Sequence, residues 1–221
     1  MSTDSPFRSR GPITDADALE VMKMAVAGQL NVDLCATLLG AGAKPVGLHG
    51  ASSRAIEATK RPPTVVSGGG PEPIDFGHVG NVVGFNTELL SLLSQAGYVP
   101  VLSSLGVDAH ANVLNINADI VANRLAAALG ADHLVLVTGA PGVLRDVTDP
   151  SSRIATLTVV EARRAIDDGI VAGGMIPKLE ETIGVLAAGQ LAAAHIVGGI
   201  APGDILRELD APGSVGTALL G

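Results

Sequence analysis

Residues 119–129 carry a helix-forming pattern that Gly130 closes, and His133-Leu134-Val135-Leu136-Val137 follows as a near-continuous apolar run. That succession constrains the fold strongly, because a strand apolar at nearly every position has to be covered on both faces. Parallel strands joined by crossover helices meet the demand. The rest of the chain repeats the alternation. Residues 16–27 form an expected helix, with Thr14 or Asp15 as N-cap and Leu19, Met22, Met24 and Val26 among its apolar positions. Residues 43–48 and 99–102 are strand candidates, and 86–96 reads as a helix stopped by Gly97. A further helix is expected over 177–188 and a further strand over 194–197, while the Gly- and Pro-rich stretch 61–84 predicts loops and a hairpin. The pattern predicts an α/β fold, a three-layer αβα sandwich with a mostly parallel central sheet. Ligands in such a fold sit beyond the carboxyl ends of the strands.

Composition removes several classes of function. A chain of 221 residues fits one large domain or two small ones. No run reaches the roughly 18 apolar residues of a membrane span, and Met1 to Arg10 lack the apolar stretch of a secretory signal. A cytoplasmic protein is expected. The single cysteine, Cys35, excludes an intrachain disulfide and a Cys-based metal cluster, and its apolar neighbours predict a buried, inert thiol. A formal charge of −8, with three Phe, one Tyr and no Trp, argues against nucleic acid as a partner. The five histidines show no metal-ligand spacing, so no metal site is expected; His133 and His195 read as packed or edge residues of strands. Arg163 and Arg164 follow Glu161 on an expected solvated helix face, and Asp167-Asp168-Gly169 reads as that helix's end.

Three segments carry chemistry. Asn115-Ile116-Asn117-Ala118-Asp119 sets short polar side chains at alternating positions before a helix, which an extended strand end would turn to one side. A cap at Asp119 and a turn held by the asparagines explain the same residues. Gly173-Gly174-Met175-Ile176-Pro177-Lys178 puts two glycines before a helix and a lysine just inside it. A cation there opposes the helix dipole unless an anion occupies the site, and the glycines let backbone amides approach that anion. Val137-Thr138-Gly139-Ala140-Pro141-Gly142-Val143-Leu144 is a small-residue turn after the apolar strand, where a flat base or ribose could lie. Together they suggest phosphoryl transfer without a Walker-type loop.

In order and spacing, Thr14-Asp15, Leu19-Glu20-Val21, Val46-Gly47-Leu48-His49-Gly50, Asp75-Phe76-Gly77-His78-Val79-Gly80, Asn115 to Asp119, Gly173 to Lys178 and Ser214-Val215-Gly216-Thr217 resemble the acetylglutamate kinase family of the amino-acid kinase superfamily, which has the carbamate kinase-like architecture. The resemblance implies transfer of a phosphoryl group from ATP, with Mg2+ held mainly by the nucleotide phosphates, to the side-chain carboxylate of N-acetyl-L-glutamate in arginine biosynthesis. By position it implies that Lys178 stabilises the phosphoryl group in flight and that Asp119 orients the lysines at the phosphates. Asn115 and Asn117 fall on the substrate side. Thr138, Gly139, Gly142, Val143, Gly173, Gly174 and Met175 fall on the nucleotide side. Residues 1–12 are expected to be irregular and 13–221 to form the kinase-like domain, with 13–112 the remainder of its substrate-binding lobe and 113–221 its nucleotide-binding lobe. A homodimer is the expected assembly.

The chain also departs from the family pattern. The family's opening strand, with a lysine and a Gly-Gly turn, and its second strand, ending in Gly-Gly-Gly, have no counterpart after Met1, so the chain reads as an amino-terminally truncated kinase of impaired activity. Pro12 stands where the family has a substrate-clamping arginine, and Arg10 is the nearby substitute. Gly139 replaces an aspartate common after the strand threonine. Val65-Val66-Ser67-Gly68-Gly69-Gly70-Pro71 looks like a glycine loop but sits where the family has a hairpin. The competing readings are a weak or inactive protein that binds nucleotide or an amino acid, and a kinase for another acylated acidic amino acid.

Overall fold

The computed structural model describes residues 13–65 and 72–221; Arg10, Pro12 and most of the glycine segment at 65–71 lie outside them. The chain divides into two compact units, one ending at Val121 and the other running Ala122–Gly221.

The first unit opens with helix α1 (Ala16–Met22), where Asp15 Oδ1 accepts the Ala18 N–H at 2.8 Å. The expected α-helix over 16–27 is overturned beyond Met22: Lys23–Leu30 is a π-helix, and α2 (Asn31–Gly40) continues from it. The tertiary contacts give the reason. Ser103 Oγ donates to the Val26 carbonyl at 3.2 Å, taking up an acceptor inside the helical ladder. Asn31, where the α geometry resumes, donates through Nδ2 to the Val101 carbonyl at 2.9 Å and to Ser103 Oγ at 3.2 Å. Cys35 is half-buried rather than buried, with Sγ 3.7 Å from Asn31 Oδ1.

Strand β1 (Pro45–Leu48) precedes the antiparallel pair β2 (Ile56–Lys60) and β3 (Gly80–Phe85). Helix α3 (Thr87–Gln95) begins at Asn86, whose Oδ1 accepts the Leu89 N–H at 3.0 Å. Then come β4 (Val99–Leu102), which pairs parallel with β1, and the antiparallel strands β5 (Leu105–Val107) and β6 (Val113–Asn115). β3, β2, β5 and β6 form one sheet in that order. Thr64 and Ile74 form an antiparallel bridge beyond β2 and β3, as the arms of the expected hairpin do. The core of this unit is Ile56, Ala58, Leu114, Ile116 and Val121. Helix α4 (Ala118–Leu129) contains the division between the units.

The second unit holds β7 (His133–Thr138), β8 (Thr156–Thr158), α5 (Val159–Asp167), α6 (Met175–Ala187), β9 (Ala193–Gly198), α7 (Asp204–Asp210) and β10 (Thr217–Leu220). Its sheet runs β7-β9-β10-β8, with β10 antiparallel to β9 and the other two pairs parallel. Among the described residues the parallel pairs number four against three antiparallel. The architecture is α/β with mixed sheets. β7 was expected to be buried on both faces; instead it is an edge strand whose burial alternates, with Leu134 and Leu136 in the core and Val137 60% exposed. The interior strands of this sheet are β9, where Ala194, Ile196 and Val197 have no exposure, and β10, where Thr217, Ala218 and Leu219 have none. A capping box joins Thr158 and Glu161 at the start of α5, and Gly169 follows its end with φ +70°. Among the described residues no helix is long and apolar enough to cross a membrane.

Candidate active site

In the first unit, residues separated by up to a hundred positions meet at Thr14, which is 2% exposed. Asn115 Nδ2 donates to Thr14 Oγ1 at 3.1 Å, and the Asn115 N–H donates to the His78 carbonyl at 2.8 Å. The Thr14 N–H donates to the Phe76 carbonyl at 3.0 Å, and its own carbonyl accepts the His78 N–H at 2.7 Å. The segment 75–80 is thereby stitched between the start of α1 and the end of β6. Asp75 closes the turn, accepting the Gly77 N–H at 2.8 Å and the Lys60 ammonium at 3.3 Å. These two donors, the backbone one first, hold its carboxyl below the ordinary carboxylate range. Gly77 has φ +70°, and a Cβ there would run into the Thr14 carbonyl. Gly77→Ala is therefore expected to destabilise the protein by about 1–3 kcal/mol. An unchanged urea midpoint would contradict the stitched arrangement.

The alternation expected across Asn115, Asn117 and Asp119 resolves into separate roles. Asn117 Oδ1 accepts the N–H groups of Asp119 at 2.8 Å and Ile120 at 3.4 Å, so Asn117, rather than Asp119, caps α4. A cavity of about 330 Å³ in the same unit is lined by Lys23, Gly28, His49, Leu105 and Val113, among others.

In the second unit, a largely apolar cavity of about 270 Å³ opens between the loops 140–147 and 170–175. Gly142, Val143 and Met175 line it, joined by Leu144, Val147 and Val171. Thr138, Gly139, Gly173 and Gly174 are not on its wall. Thr138 Oγ1 instead accepts the Ala140 N–H at 3.0 Å and donates to the Ala140 carbonyl at 3.1 Å, which shapes the turn leaving β7. Gly173, at φ +60°, and Gly174 lead into α6, which starts without a side-chain cap. Met175 is both a cavity wall and the first residue of α6, and Lys178 follows within its first turn. Among the described residues no group of three or more His, Cys, Asp or Glu side chains could hold a metal ion.

The profile of the amino acid kinase family matches residues 2–198. The chain is 58% identical over 208 residues to the acetylglutamate kinase of Sorangium cellulosum (strain So ce56), covering 94% of this chain and 73% of that protein. The chain belongs to the acetylglutamate kinases of the amino acid kinase family. The acetylglutamate kinase of Thermosynechococcus vestitus (strain NIES-2133 / IAM M-273 / BP-1) is 38% identical over 221 residues, covering 100% of this chain and 71% of that one. Among solved structures, smu.665 from Streptococcus mutans UA159 superposes with a TM-score of 0.74 at 25% identity, covering 94% of this chain and 74% of that one. N-acetylglutamate synthase from Neisseria gonorrhoeae superposes at 0.75 with 23% identity, over 94% of this chain and 46% of that one, and so shares the fold.

In this acetylglutamate kinase family member, sequence reasoning missed part of the cavity wall. Val147, Ile170, Val171 and Ala172 lie outside the glycine turns, and the readable signal was the apolar triplet directly before Gly173. It also missed a buried cluster. Glu208 and His195 are fully buried, and Glu208 Oε1 lies 3.0 Å from His195 Nδ1. His195 Nε2 lies 3.1 Å from His133 Nδ1. Glu208 also accepts the N–H groups of Gly213 at 2.7 Å, Val215 at 2.8 Å and Gly216 at 2.9 Å. Burial raises the Glu208 pKa, but the Gly216 N–H, His195 and the other two amides outweigh it and lower the value from 4.5 to about 2. An ionised carboxylate only accepts, so His195 carries its proton on Nδ1.

Proposed function

We propose that this chain transfers the γ-phosphoryl group of ATP, taken up as MgATP, to the side-chain carboxylate of N-acetyl-L-glutamate, giving an acyl phosphate for arginine biosynthesis. The observation that carries the reading is the joining of an apolar cavity to a lysine-bearing helix: Met175 lines the cavity, and Lys178 lies about one turn along the same helix. An adenine ring suits the apolar wall. The ammonium of Lys178 suits a phosphoryl group whose charge shifts onto its oxygens during transfer. The acceptor is already a carboxylate, so its oxygen attacks phosphorus and the bond to the ADP oxygen breaks with no proton to remove. That chemistry needs aimed donors and cations rather than an enzyme nucleophile. Asn115, set at the end of β6 by Thr14 and His78, holds the acylated amino acid. Asp119 orients the cations at the phosphates. Residues 13–112, with Asn115 just beyond them, serve the substrate and the remainder of 113–221 the nucleotide, in the cytoplasm where MgATP is abundant.

A homodimer accords with the apolar surface of the helical stretch 16–40, where Met24, Leu30, Val32 and Leu39 are each 60–66% exposed. Sedimentation should find two copies per particle, and a monomer at micromolar concentration would exclude that assembly.

The activity test is hydroxylamine trapping of acyl phosphate formed by the purified protein from MgATP and N-acetyl-L-glutamate. Hydroxamate formation with the acetylated, but not the unacetylated, amino acid is expected. No product over the nucleotide-free control would refute the reading. Ala172→Trp, which fills the cavity, should raise the KM for ATP by on the order of tenfold or more and leave the KM for N-acetyl-L-glutamate in place.

A further inference from the structure

The turn 213–216 is gripped from both sides. Its amides at Gly213, Val215 and Gly216 converge on the Glu208 carboxylate, while its carbonyls at Gly213 and Gly216 accept from the Arg153 guanidinium. Gly213 has φ +84°, and a Cβ there would strike the Ala155 carbonyl, so the turn lies flat against the chain beside Arg153. A carboxylate on the donor side and a guanidinium on the acceptor side fix where β10 begins. Its first residue, Thr217, is fully buried.

Thr217 closes a ring of three hydrogen bonds. The Val143 N–H donates to Thr217 Oγ1 at 2.8 Å, Thr217 Oγ1 donates to the Ile154 carbonyl at 2.5 Å, and the Ile154 N–H donates to the Val143 carbonyl at 2.8 Å. Val143 is fully buried and lines the apolar cavity, as does Gly142 beside it. We propose that Thr217 is a positioning residue for the nucleotide: its hydroxyl, set by the Glu208 and Arg153 grip on the preceding turn, fixes the backbone of Gly142 and Val143 and so the shape of the base-binding wall. This inference rests on the assignment of that cavity to ATP. Neither Thr217 nor Glu208 lines the cavity, so both act through the chain they hold.

Thr217→Val keeps the shape and removes both the acceptor for Val143 and the donor for Ile154. It leaves a buried N–H without its partner unless the loop moves. The KM for ATP and the Kd for MgADP, measured well below the melting temperature, are expected to rise about tenfold. The KM for N-acetyl-L-glutamate should stay within about twofold, and Thr217→Ser, which keeps the hydroxyl, should restore nucleotide affinity to within about twofold. A Thr217→Val protein that binds MgADP as tightly as the unmodified one overturns the proposal, whatever its melting temperature. Ala172→Trp separates the two readings. If it loses MgADP binding while Thr217→Val keeps it, only the positioning role falls. If both bind normally, the cavity is not the nucleotide site and both readings fall. Amide hydrogen exchange on the unmodified protein gives the result without a variant. MgADP should slow exchange at Gly213, Val215 and Gly216, none of which lines the cavity, and unchanged exchange there overturns the coupling.

Discussion

Lys178→Ala is expected to lower kcat by a factor on the order of 10²–10³, the cost of removing one preorganised stabiliser of developing charge. The KM values for ATP and N-acetyl-L-glutamate should change far less, because the proposed interaction strengthens only as the phosphoryl group leaves ADP. Lys178 stands within the first turn of α6, at the positive end of the helix dipole, where both the dipole and the ammonium favour an anion alongside. A near-normal kcat with a raised KM would assign Lys178 to uniform binding instead and would remove it from the transition state.

Glu208→Gln carries the largest expected effect on stability, about 3–5 kcal/mol at neutral pH. Each carboxylate oxygen accepts two hydrogen bonds: Oε1 from His195 and Gly213, Oε2 from Val215 and Gly216. A glutamine supplies one acceptor oxygen and turns an NH2 group toward the other pair of donors, leaving buried N–H groups facing N–H groups. The pH dependence follows from the same geometry. The folded-state value of about 2 lies below the ordinary 4.5, so ionised Glu208 contributes stability above pH about 4.5 and loses it as pH falls toward 2. The difference is worth about 3 kcal/mol. Urea unfolding between pH 2 and 7 should show this acid limb in the unmodified protein and a shallower one in Glu208→Gln. Equal limbs would mean that the carboxylate is not the group being titrated.

The elements legible in the sequence were those with local punctuation. α3 has its cap at Asn86 and its stop at Gly97, and α5 carries a capping box and Gly169; both could be read without knowledge of any partner. The elements that were missed owe their form to contacts distant in the chain. The π-helix at Lys23–Leu30 accompanies bonds from residues 101–103, some seventy positions away, and nothing local announces it. β2 has two core residues, Ile56 and Ala58, separated by Glu57, too weak an alternation to stand against the Gly- and Pro-rich segment that follows. β7 misled because a run of Leu and Val looks the same in an edge strand as in a central one. Its place in the sheet is set by which strands pair with it.

The candidate site divides along the same line. Asn115, Thr14 and the 75–80 segment were recognisable as motifs, but their convergence on one buried threonine belongs to the fold. Glu208 and Thr217 could not be chosen from the sequence as special, since a Glu in a charged helix and a Thr at a strand start are ordinary residues. Their role comes from total burial beside the 213–216 turn.

The strand order β7-β9-β10-β8 has a consequence for how this chain is made. Among the described residues β8 pairs with β10 alone, and β10 comprises residues 217–220, some sixty residues after β8. During synthesis β8 therefore waits without a partner while α5, α6, β9 and α7 emerge, and the sheet of the second unit can close only after residues 217–220 have left the ribosome. Closure of that sheet therefore waits on a pairing between strands some sixty residues apart, a non-local contact that makes the closing step slow. A ribosome stalled with those residues still in the exit tunnel should hold a first unit that resists protease and a second unit that is cut. Removal of the stall should restore protection to both.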